Sequence, residues 1–182
     1  MRSLDTERLF VGIPVSERTR LSLERQLPSK LPGRPAPSAN WHFTLRFLGA
    51  TANDQRERLI DALRKQSFGR GFDIEFEMLG AFPNARRARV LWVGVGNGHE
   101  RLEAVAVKVE EAALVAGFDP EPRKFTAHLT LSRIRPPESV THLLATARPV
   151  DATMRVSSVI LYRSEAGGAG SRYTIVEEFH LV

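Results

Sequence analysis

The chain has 182 residues, of which 42% are hydrophobic, so it is long enough to bury a sizeable core within one domain. It contains no cysteine, which excludes disulfide bonds and thiolate catalysis and is compatible with a reducing cytoplasm. The net charge is +5, and 22 of the 26 basic residues are arginine, a side chain that suits phosphate binding, although codon bias can produce the same excess.

The N-terminal segment Met1–Arg8 lacks the apolar core of a signal peptide. No run of about 18 apolar residues, the length needed to span a bilayer, occurs anywhere in the sequence. We therefore expect a cytoplasmic protein with no membrane partner.

The first half of the chain predicts two strands and two helices. A strand over Arg8–Pro14 is followed by a helix that Ser16 can cap and that ends near Leu27. Four prolines then exclude regular helix from Pro28 to Asn40. A strand over Trp41–Phe47 comes next, and a helix from Thr51 to Gln66 follows it.

The middle of the chain alternates apolar and acidic residues over Phe72–Met78, which predicts a half-buried strand. The arginine-rich stretch Arg86–Arg89 is a candidate anion contact or a solvated loop. A buried strand is predicted over Val90–Val95 and a helix from about His99 to Ala116, for which Gly117 is a suitable C-cap.

The last third begins with a Pro-containing loop and a strand over Phe125–Ser132. Pro136-Pro137 is predicted to open a short helix. Two final strands, Thr153–Arg163 and Tyr173–Val182, flank a glycine-rich connection at Gly167–Gly170. The order of helix, Pro-rich loop and histidine-bearing strand thus occurs twice, which supports an internal duplication.

Two of the five histidines stand in the same short frame, His42-Phe43-Thr44-Leu45 and His128-Leu129-Thr130-Leu131. In a strand, residues two apart project from the same face, so each histidine shares a face with its threonine. A lone histidine in a strand is more often structural than catalytic, but two in matching frames favour a shared function. The remaining histidines have no repeated environment and are assigned none.

Alternation predicts which side chains accompany each motif. In the first copy, Trp41, Phe43, Leu45 and Phe47 form an apolar face while Arg46 joins the polar side. In the second copy, the polar face carries the motif residues His128 and Thr130 together with Thr126 and Ser132, and the apolar face carries the residues Phe125, Ala127, Leu129 and Leu131.

Ordered blocks of the whole chain resemble the two-histidine (2H) phosphoesterases, specifically the RNA 2′,3′-cyclic phosphodiesterases long called 2′-5′ RNA ligases. Besides the two His-x-Thr motifs, or HXTX motifs, the resemblance rests on Arg8–Val11, Gly80–Pro83 and Val90–Val95. Two small departures, Phe43 for the common Leu and Ala127 for the common Pro, lie off the polar face and leave the chemistry intact.

The resemblance implies an α+β fold, with residues 1–182 forming a single bilobal 2H phosphoesterase domain. Two pseudo-symmetric lobes, each an antiparallel sheet with outer helices, would surround a central cleft that carries the two HxT strands. It further implies His42 as proton donor and His128 as proton acceptor, with Thr44, Thr130 and Arg133 binding the substrate phosphate. Strand parity puts Arg133 off the polar face, so it must bend inward.

The implied reaction is hydrolysis of an RNA 2′,3′-cyclic phosphodiester end to a 2′-phosphomonoester. Histidine suits both proton transfers because its ordinary pKa is about 6.5. No cofactor and no metal are expected, because no cluster of His, Asp and Glu has metal-ligand spacing. The expected partner is an RNA with a 2′,3′-cyclic phosphate end, and the protein is expected to be a monomer.

Four alternatives remain open from the sequence. The same site could join 2′-5′ RNA ends or open a cyclic phosphate on a nucleotide, because these reactions share a transition state. From other classes, the chain could be a non-catalytic RNA-binding domain or a metallohydrolase. Which histidine gives the proton also stays undecided, because the pseudo-symmetry permits the reverse assignment.

Overall fold

The computed structural model describes residues 6–167 and 170–182. The strands in chain order are β1 (Thr6–Pro14), β2 (Arg34–Pro35), β3 (His42–Ala52), β4 (Phe72–Phe82), β5 (Ala88–Val95), β6 (His128–Glu138), β7 (Thr153–Val156), β8 (Ser158–Gly167) and β9 (Gly170–His180). The helices are α1 (Glu17–Gln26), α2 (Asn53–Arg64), α3 (His99–Val115) and α4 (Thr141–Thr146), with short 3₁₀ turns at Ser38–Asn40 and Ala85–Arg87.

The strands form two antiparallel sheets, as the expected α+β fold requires. One sheet has the order β3-β1-β8-β9 and the other has the order β2-β6-β5-β4-β7. Each sheet therefore contains one HxT strand, β3 in the first and β6 in the second. These two strands contact each other, so the two motifs are carried by neighbouring strands of different sheets. We call the surface that carries His42, Thr44, His128 and Thr130 the cleft.

One large cluster of buried apolar side chains is shared by both lobes. Phe43 of β3 and Leu129 of β6 both belong to it and are fully buried. Helices α2 and α3 contact each other and contribute Leu59, Leu63 and Val109 to the same cluster. The two sheets are thus fixed relative to each other by common packing, which holds the two motifs in a constant relationship.

Local sequence signals explain most of the element ends. The Ser16 hydroxyl accepts a hydrogen bond from the Thr19 backbone N–H at 3.3 Å, which is the cap expected for α1. Gly117 has φ +86 just after α3, a left-handed conformation that glycine adopts without strain. The helices predicted in these two regions are confirmed, and so is the helix α2.

The prediction that Pro136-Pro137 opens a helix is wrong. Strand β6 continues through both prolines to Glu138, and α4 begins only at Thr141. A residue that precedes proline is driven away from the α region, so consecutive prolines favour extended backbone. The short strand β2 inside the first Pro-rich segment was not predicted either. Of the predicted glycine-rich connection, Gly168 and Ala169 lie outside the described residues.

No helix in residues 6–167 and 170–182 is long and apolar enough to cross a membrane.

Candidate active site

Both HxT motifs lie in a strand, as predicted, although the second strand begins at His128 rather than at Phe125. His42 is the first residue of β3 and His128 is the first residue of β6. The residue between His and Thr is fully buried in each motif, whereas the His and Thr side chains are only partly buried. Alternation along the strand therefore directs each His-Thr pair to the cleft, and the predicted polar faces are confirmed over these residues.

The two imidazole rings are held by the same contact. The Nδ1 atom of His42 lies 2.7 Å from the backbone oxygen of Asn40, and that of His128 lies 2.7 Å from the backbone oxygen of Thr126. A carbonyl oxygen can only accept, so Nδ1 carries a proton and donates it in both rings. In the neutral rings the Nε2 atoms are then unprotonated, which leaves them available as proton acceptors.

Aromatic side chains surround both rings. The His42 ring centroid lies 4.7 Å from that of Phe10 and 5.2 Å from that of Tyr173. On the opposite side of the cleft, the His128 centroid lies 5.0 Å from that of Phe82. This burial lowers the pKa of both histidines below the ordinary value, and the hydrogen bond from each Nδ1 to a backbone oxygen opposes the shift.

The charge of Arg133 also lowers the pKa of both His42 and His128. A positive charge disfavours the protonated imidazole, so Arg133 opposes the charging of both rings.

Thr44 and Gly12 fix the position of the His42 ring. The Nε2 atom of His42 lies 2.9 Å from the Thr44 hydroxyl oxygen. Gly12 is paired with Thr44 on the neighbouring strand β1. A Cβ atom at Gly12 would come within 3.3 Å of the His42 Cδ2 atom and 2.8 Å of the Phe43 backbone oxygen. The ring therefore occupies space that only a glycine leaves open.

A β-bulge follows the threonine in each motif and overturns part of the predicted alternation. On β3, Thr44 pairs with Gly12 and Arg46 with Val11, so Leu45 is an extra residue. On β6, Thr130 pairs with Trp92 and Ser132 with Leu91, so Leu131 is extra. An inserted residue shifts every later side chain to the other face of the strand.

The prediction that Arg46 lies on the polar face and Phe47 in the core is therefore wrong. Arg46 is 9% exposed, whereas Phe47 is 46% exposed. Arg46 makes a 2.6 Å ion pair with Glu121 and lies 2.9 Å from Glu110, a contact that is not aligned as a hydrogen bond. Its Nη2 atom donates to the backbone oxygen of Asp119.

The same reversal explains Arg133. Ser132, predicted on the polar face, is fully buried, and its hydroxyl donates to the backbone oxygen of Pro32. Arg133 is exposed. It pairs with Val90, two residues from the Trp92 that pairs with Thr130, so it lies on the same face as Thr130. The extra residue Leu131 therefore brings this guanidinium to the cleft face, which strict alternation would not do.

Several residues of the site were not found from the sequence. Tyr173 comes from β9, far along the chain from His42, and Asn40 fixes the ring only through its backbone oxygen. Tyr162 packs against Phe10, and burial raises its pKa to about 12. The only available sequence signal was Gly12, a small residue within an otherwise bulky predicted strand.

Among the described residues, no group of three or more His, Asp or Glu side chains is arranged to hold a metal ion.

The fold and the paired motifs define a two-histidine phosphoesterase, and comparison with known proteins agrees. The family model described as "LigT like Phosphoesterase" matches the chain twice, over residues 12–92 and 93–173. Each match contains one HxT motif, which agrees with the predicted internal duplication. The chain belongs to the LigT-like phosphoesterase family.

Two relatives and one solved structure illustrate the similarity. A protein of Aquifex aeolicus named RNA 2′,3′-cyclic phosphodiesterase is 34% identical over 96% of this chain and 97% of its own length. A protein of Aeropyrum pernix with the same name is 34% identical over 81% of this chain and 86% of its own length. The crystal structure of E. coli LigT complexed with 3′-AMP matches with a TM-score of 0.81, at 24% identity over 97% of this chain and 99% of that one.

Proposed function

We propose that this protein hydrolyses RNA 2′,3′-cyclic phosphodiester ends to 2′-phosphomonoesters, using His42 and His128 for acid-base catalysis without a metal ion. The observation that carries the proposal is the matched pair of imidazoles, each with Nδ1 bound to a backbone oxygen and each sharing the cleft face with a threonine. The name that both relatives bear supports the choice of substrate.

The reaction needs one proton taken and one given. Neutral His128 accepts a proton at Nε2 from a water molecule as the water oxygen bonds to phosphorus. The bond between phosphorus and the ribose 3′ oxygen then breaks, and protonated His42 gives its Nε2 proton to that oxygen. The products are a 2′-phosphate and a 3′-hydroxyl, and the two histidines have exchanged protonation states. Each positioned proton transfer contributes about 10²- to 10⁴-fold.

Three further groups stabilise the charge on the phosphoryl oxygens. We assign Thr44 and Thr130 as hydroxyl donors to the non-bridging oxygens and Arg133 as the guanidinium that balances the negative charge. The contact between Thr44 and His42 supports this role. When His42 is protonated, its Nε2 atom no longer accepts from the Thr44 hydroxyl. The hydroxyl hydrogen is then free to turn toward the phosphate, and the Nε2–H toward the 3′ oxygen.

Substrate binding sets the protonation state that the mechanism requires. In the free protein the lowered pKa values keep both rings neutral at neutral pH. A phosphate anion beside them favours the cationic form and raises the pKa of the donor. The substrate therefore brings about the protonation of His42 that the departure of the 3′ oxygen needs.

Product analysis of a short RNA with a 2′,3′-cyclic end, in excess chelator, tests the proposal. We expect conversion to a 2′-phosphate. A 3′-phosphate or a 2′-5′-ligated RNA as the product would replace the proposed reaction with one of its relatives, and RNA binding without turnover would contradict an enzymatic function. Activity that appears only after metal is added would refute the metal-free mechanism.

We further propose that residues 1–182 act as one cooperative bilobal unit, that the protein is a monomer and that it works in the cytoplasm. The core shared between the two sheets supports the first of these points. Sedimentation analysis should give a mass near 20.3 kDa, and thermal unfolding should show a single transition. A dimer mass or two separate transitions would contradict these expectations.

A further inference from the structure

Arg34 and Arg133 lie side by side although they come from different parts of the chain. Strand β2 pairs antiparallel with β6, with Arg34 opposite Arg133 and Pro35 opposite Ser132. Directly opposed residues of an antiparallel pair project from the same face, with Cβ atoms about 4.5–5.5 Å apart. Because Arg133 faces the cleft, Arg34 extends the same surface toward the edge of the sheet.

The backbone around Arg34 is fixed by contacts to β6. The backbone N–H of Ala36 donates to the Leu131 oxygen at 2.9 Å, and the Ser132 hydroxyl donates to the Pro32 oxygen. Gly33 has φ +70, and a Cβ atom there would lie 2.5 Å from the Arg133 oxygen. Only glycine permits this approach, so the register that places Arg34 beside Arg133 is built into the segment.

Within residues 6–167 and 170–182, no carboxylate pairs with either of these arginines. Nine arginines of the described residues form ion pairs within 4.0 Å, and neither Arg34 nor Arg133 is among them. Both side chains are exposed. Like charges directly opposite each other on a sheet are destabilising, which makes this an unfavourable arrangement in the absence of an anion. The phosphates of a bound RNA strand would make the same arrangement of two charges favourable.

The two guanidinia stand at different distances from the reacting centre. Arg133 lies on β6, the strand that carries His128, and its charge lowers the pKa of both histidines. Arg34 is on the edge strand, about 4.8 Å farther out in the direction of the sheet hydrogen bonds. The anion that Arg34 meets is therefore a neighbour of the reacting phosphate.

We propose that Arg34 binds the phosphodiester that joins the terminal nucleotide to the rest of the RNA, while Arg133 contacts the cyclic phosphate itself. This inference rests on the proposed function and names its substrate class more closely. In a strand with a cyclic end, that phosphodiester is the next anion along the chain, and the open edge at β2 gives the RNA a path out of the cleft. Arg34 then makes the enzyme prefer an oligonucleotide to a nucleoside 2′,3′-cyclic phosphate.

The test compares kcat/KM for a nucleoside 2′,3′-cyclic phosphate with kcat/KM for a dinucleotide ending in the same cyclic phosphate. The wild-type enzyme should prefer the dinucleotide, and Arg34→Gln should reduce that preference about 5-fold, the upper range for an exposed ion pair. Arg34→Lys should keep part of it. Arg25→Gln, which removes an exposed charge at the end of α1, serves as the matched control and should keep the wild-type preference.

A dinucleotide with a neutral methylphosphonate linkage identifies the anion. With the wild-type enzyme, kcat/KM for this substrate should no longer exceed that for the mononucleotide. Arg34→Gln should hardly change kcat/KM for this substrate. An equal loss on the mononucleotide and the dinucleotide would assign Arg34 to the reacting phosphate and overturn the proposal. A wild-type enzyme with no preference for the dinucleotide would overturn it too.

A binding measurement separates this inference from the proposed function. Fluorescence anisotropy with a non-reactive RNA ending in a 2′-phosphate reports contact with the strand whether or not the protein is a catalyst. The dependence of log Kd on log salt should be about 0.7 smaller in Arg34→Gln than in the wild type, as for one lost contact to a single strand. An unchanged slope would refute the Arg34 contact even if cyclic-phosphate hydrolysis is observed.

Discussion

The two HxT strands have the same pattern of residues up to the bulge and differ immediately after it. Each begins at its histidine, buries the next residue, presents its threonine and inserts an extra leucine. The residue after the bulge is buried in both strands: Arg46 in β3 and Ser132 in β6. The following residue is exposed in both: Phe47 in β3 and Arg133 in β6. The chemistry common to both lobes thus lies before the bulge, and the asymmetry of the site lies after it.

The buried residue after each bulge also ties the lobes together. Arg46 donates to the oxygen of Asp119, in the loop that leads to the second HxT strand. Ser132 donates to the oxygen of Pro32, in the segment that leads to the first. Each strand therefore anchors the approach to the other histidine, and the relative position of the two motifs is set from both sides.

The exposed positions give the two lobes different electrostatic roles. Phe47 is covered by Arg8, whose guanidinium carbon lies 5.0 Å from the ring centroid. Arg133, at the equivalent place on β6, carries its charge directly on the cleft face. An anion in the cleft is consequently attracted toward the second lobe.

The largest expected effect comes from removing either imidazole. His42→Ala and His128→Ala should each lower kcat for a cyclic RNA end by about 10²- to 10⁴-fold. The double variant should be little worse than either single one, because the two proton transfers act as a unit. His99→Ala removes an exposed histidine at the start of α3 and should retain near-wild-type activity. Near-full activity of either cleft variant would refute the site.

A substrate with a good leaving group sharpens the comparison of the two histidines. A p-nitrophenyl phosphodiester releases an anion that needs no proton, so the variant that lacks the proton donor should recover much of its relative rate. We expect this recovery for His42→Ala and not for His128→Ala. Recovery in His128→Ala instead would reverse the two assigned roles.

Removing the threonine hydroxyls should have the next largest effect. Thr44→Ala and Thr130→Ala should each lower kcat about 10- to 100-fold, because each deletes one donor to a charged phosphoryl oxygen. Only Thr44→Ala should also displace the pH profile, since Thr44 contacts the His42 Nε2 atom. The conservative Ser variants should stay close to the wild type, and Ser variants as impaired as Ala would contradict a role for the hydroxyl.

Arg46 and Ser132, the buried residues after the two bulges, should differ in their contribution to stability. Arg46→Met removes the guanidinium that pairs with Glu110 and Glu121 and should lower the free energy of unfolding by about 2 kcal/mol. This is below the full cost of a broken buried pair, because both carboxylates are partly exposed and Glu121 keeps its ion pair with Arg123. Ser132→Ala removes one hydrogen bond and should cost about 1 kcal/mol. Urea unfolding measures both, and a larger effect of Ser132→Ala would reverse the ranking.

The smallest effects concern pH. Both histidines have lowered pKa values in the free protein, so the bell-shaped profile of kcat/KM should be centred below pH 6.5 and that of kcat should lie at higher pH. The same shift stabilises the fold above the ordinary pKa of about 6.5, and that contribution is lost as pH falls through the folded-state values. An optimum of kcat/KM above pH 7 would contradict the lowered pKa values.

Much of this fold was predictable because the sequence is locally consistent. Alternating residues around His42 and His128 predicted the two strands, and their polar faces are correct as far as each threonine. The prediction failed one residue later, at Leu45 and Leu131, because a bulge leaves no mark in the pattern of apolar and polar residues. The same pattern that predicted Phe47 in the core therefore put it on the wrong face.

The two motifs, their strands and the family to which the chain belongs could be predicted from the amino-acid sequence, because they depend on local alternation and on ordered blocks of residues. The folded chain was needed to show where Arg46 and Arg133 point, which aromatic rings desolvate the histidines and that Arg34 lies beside Arg133. Those relations depend on pairing register and on close approaches such as that of Gly33 to β6, which join residues far apart in the chain.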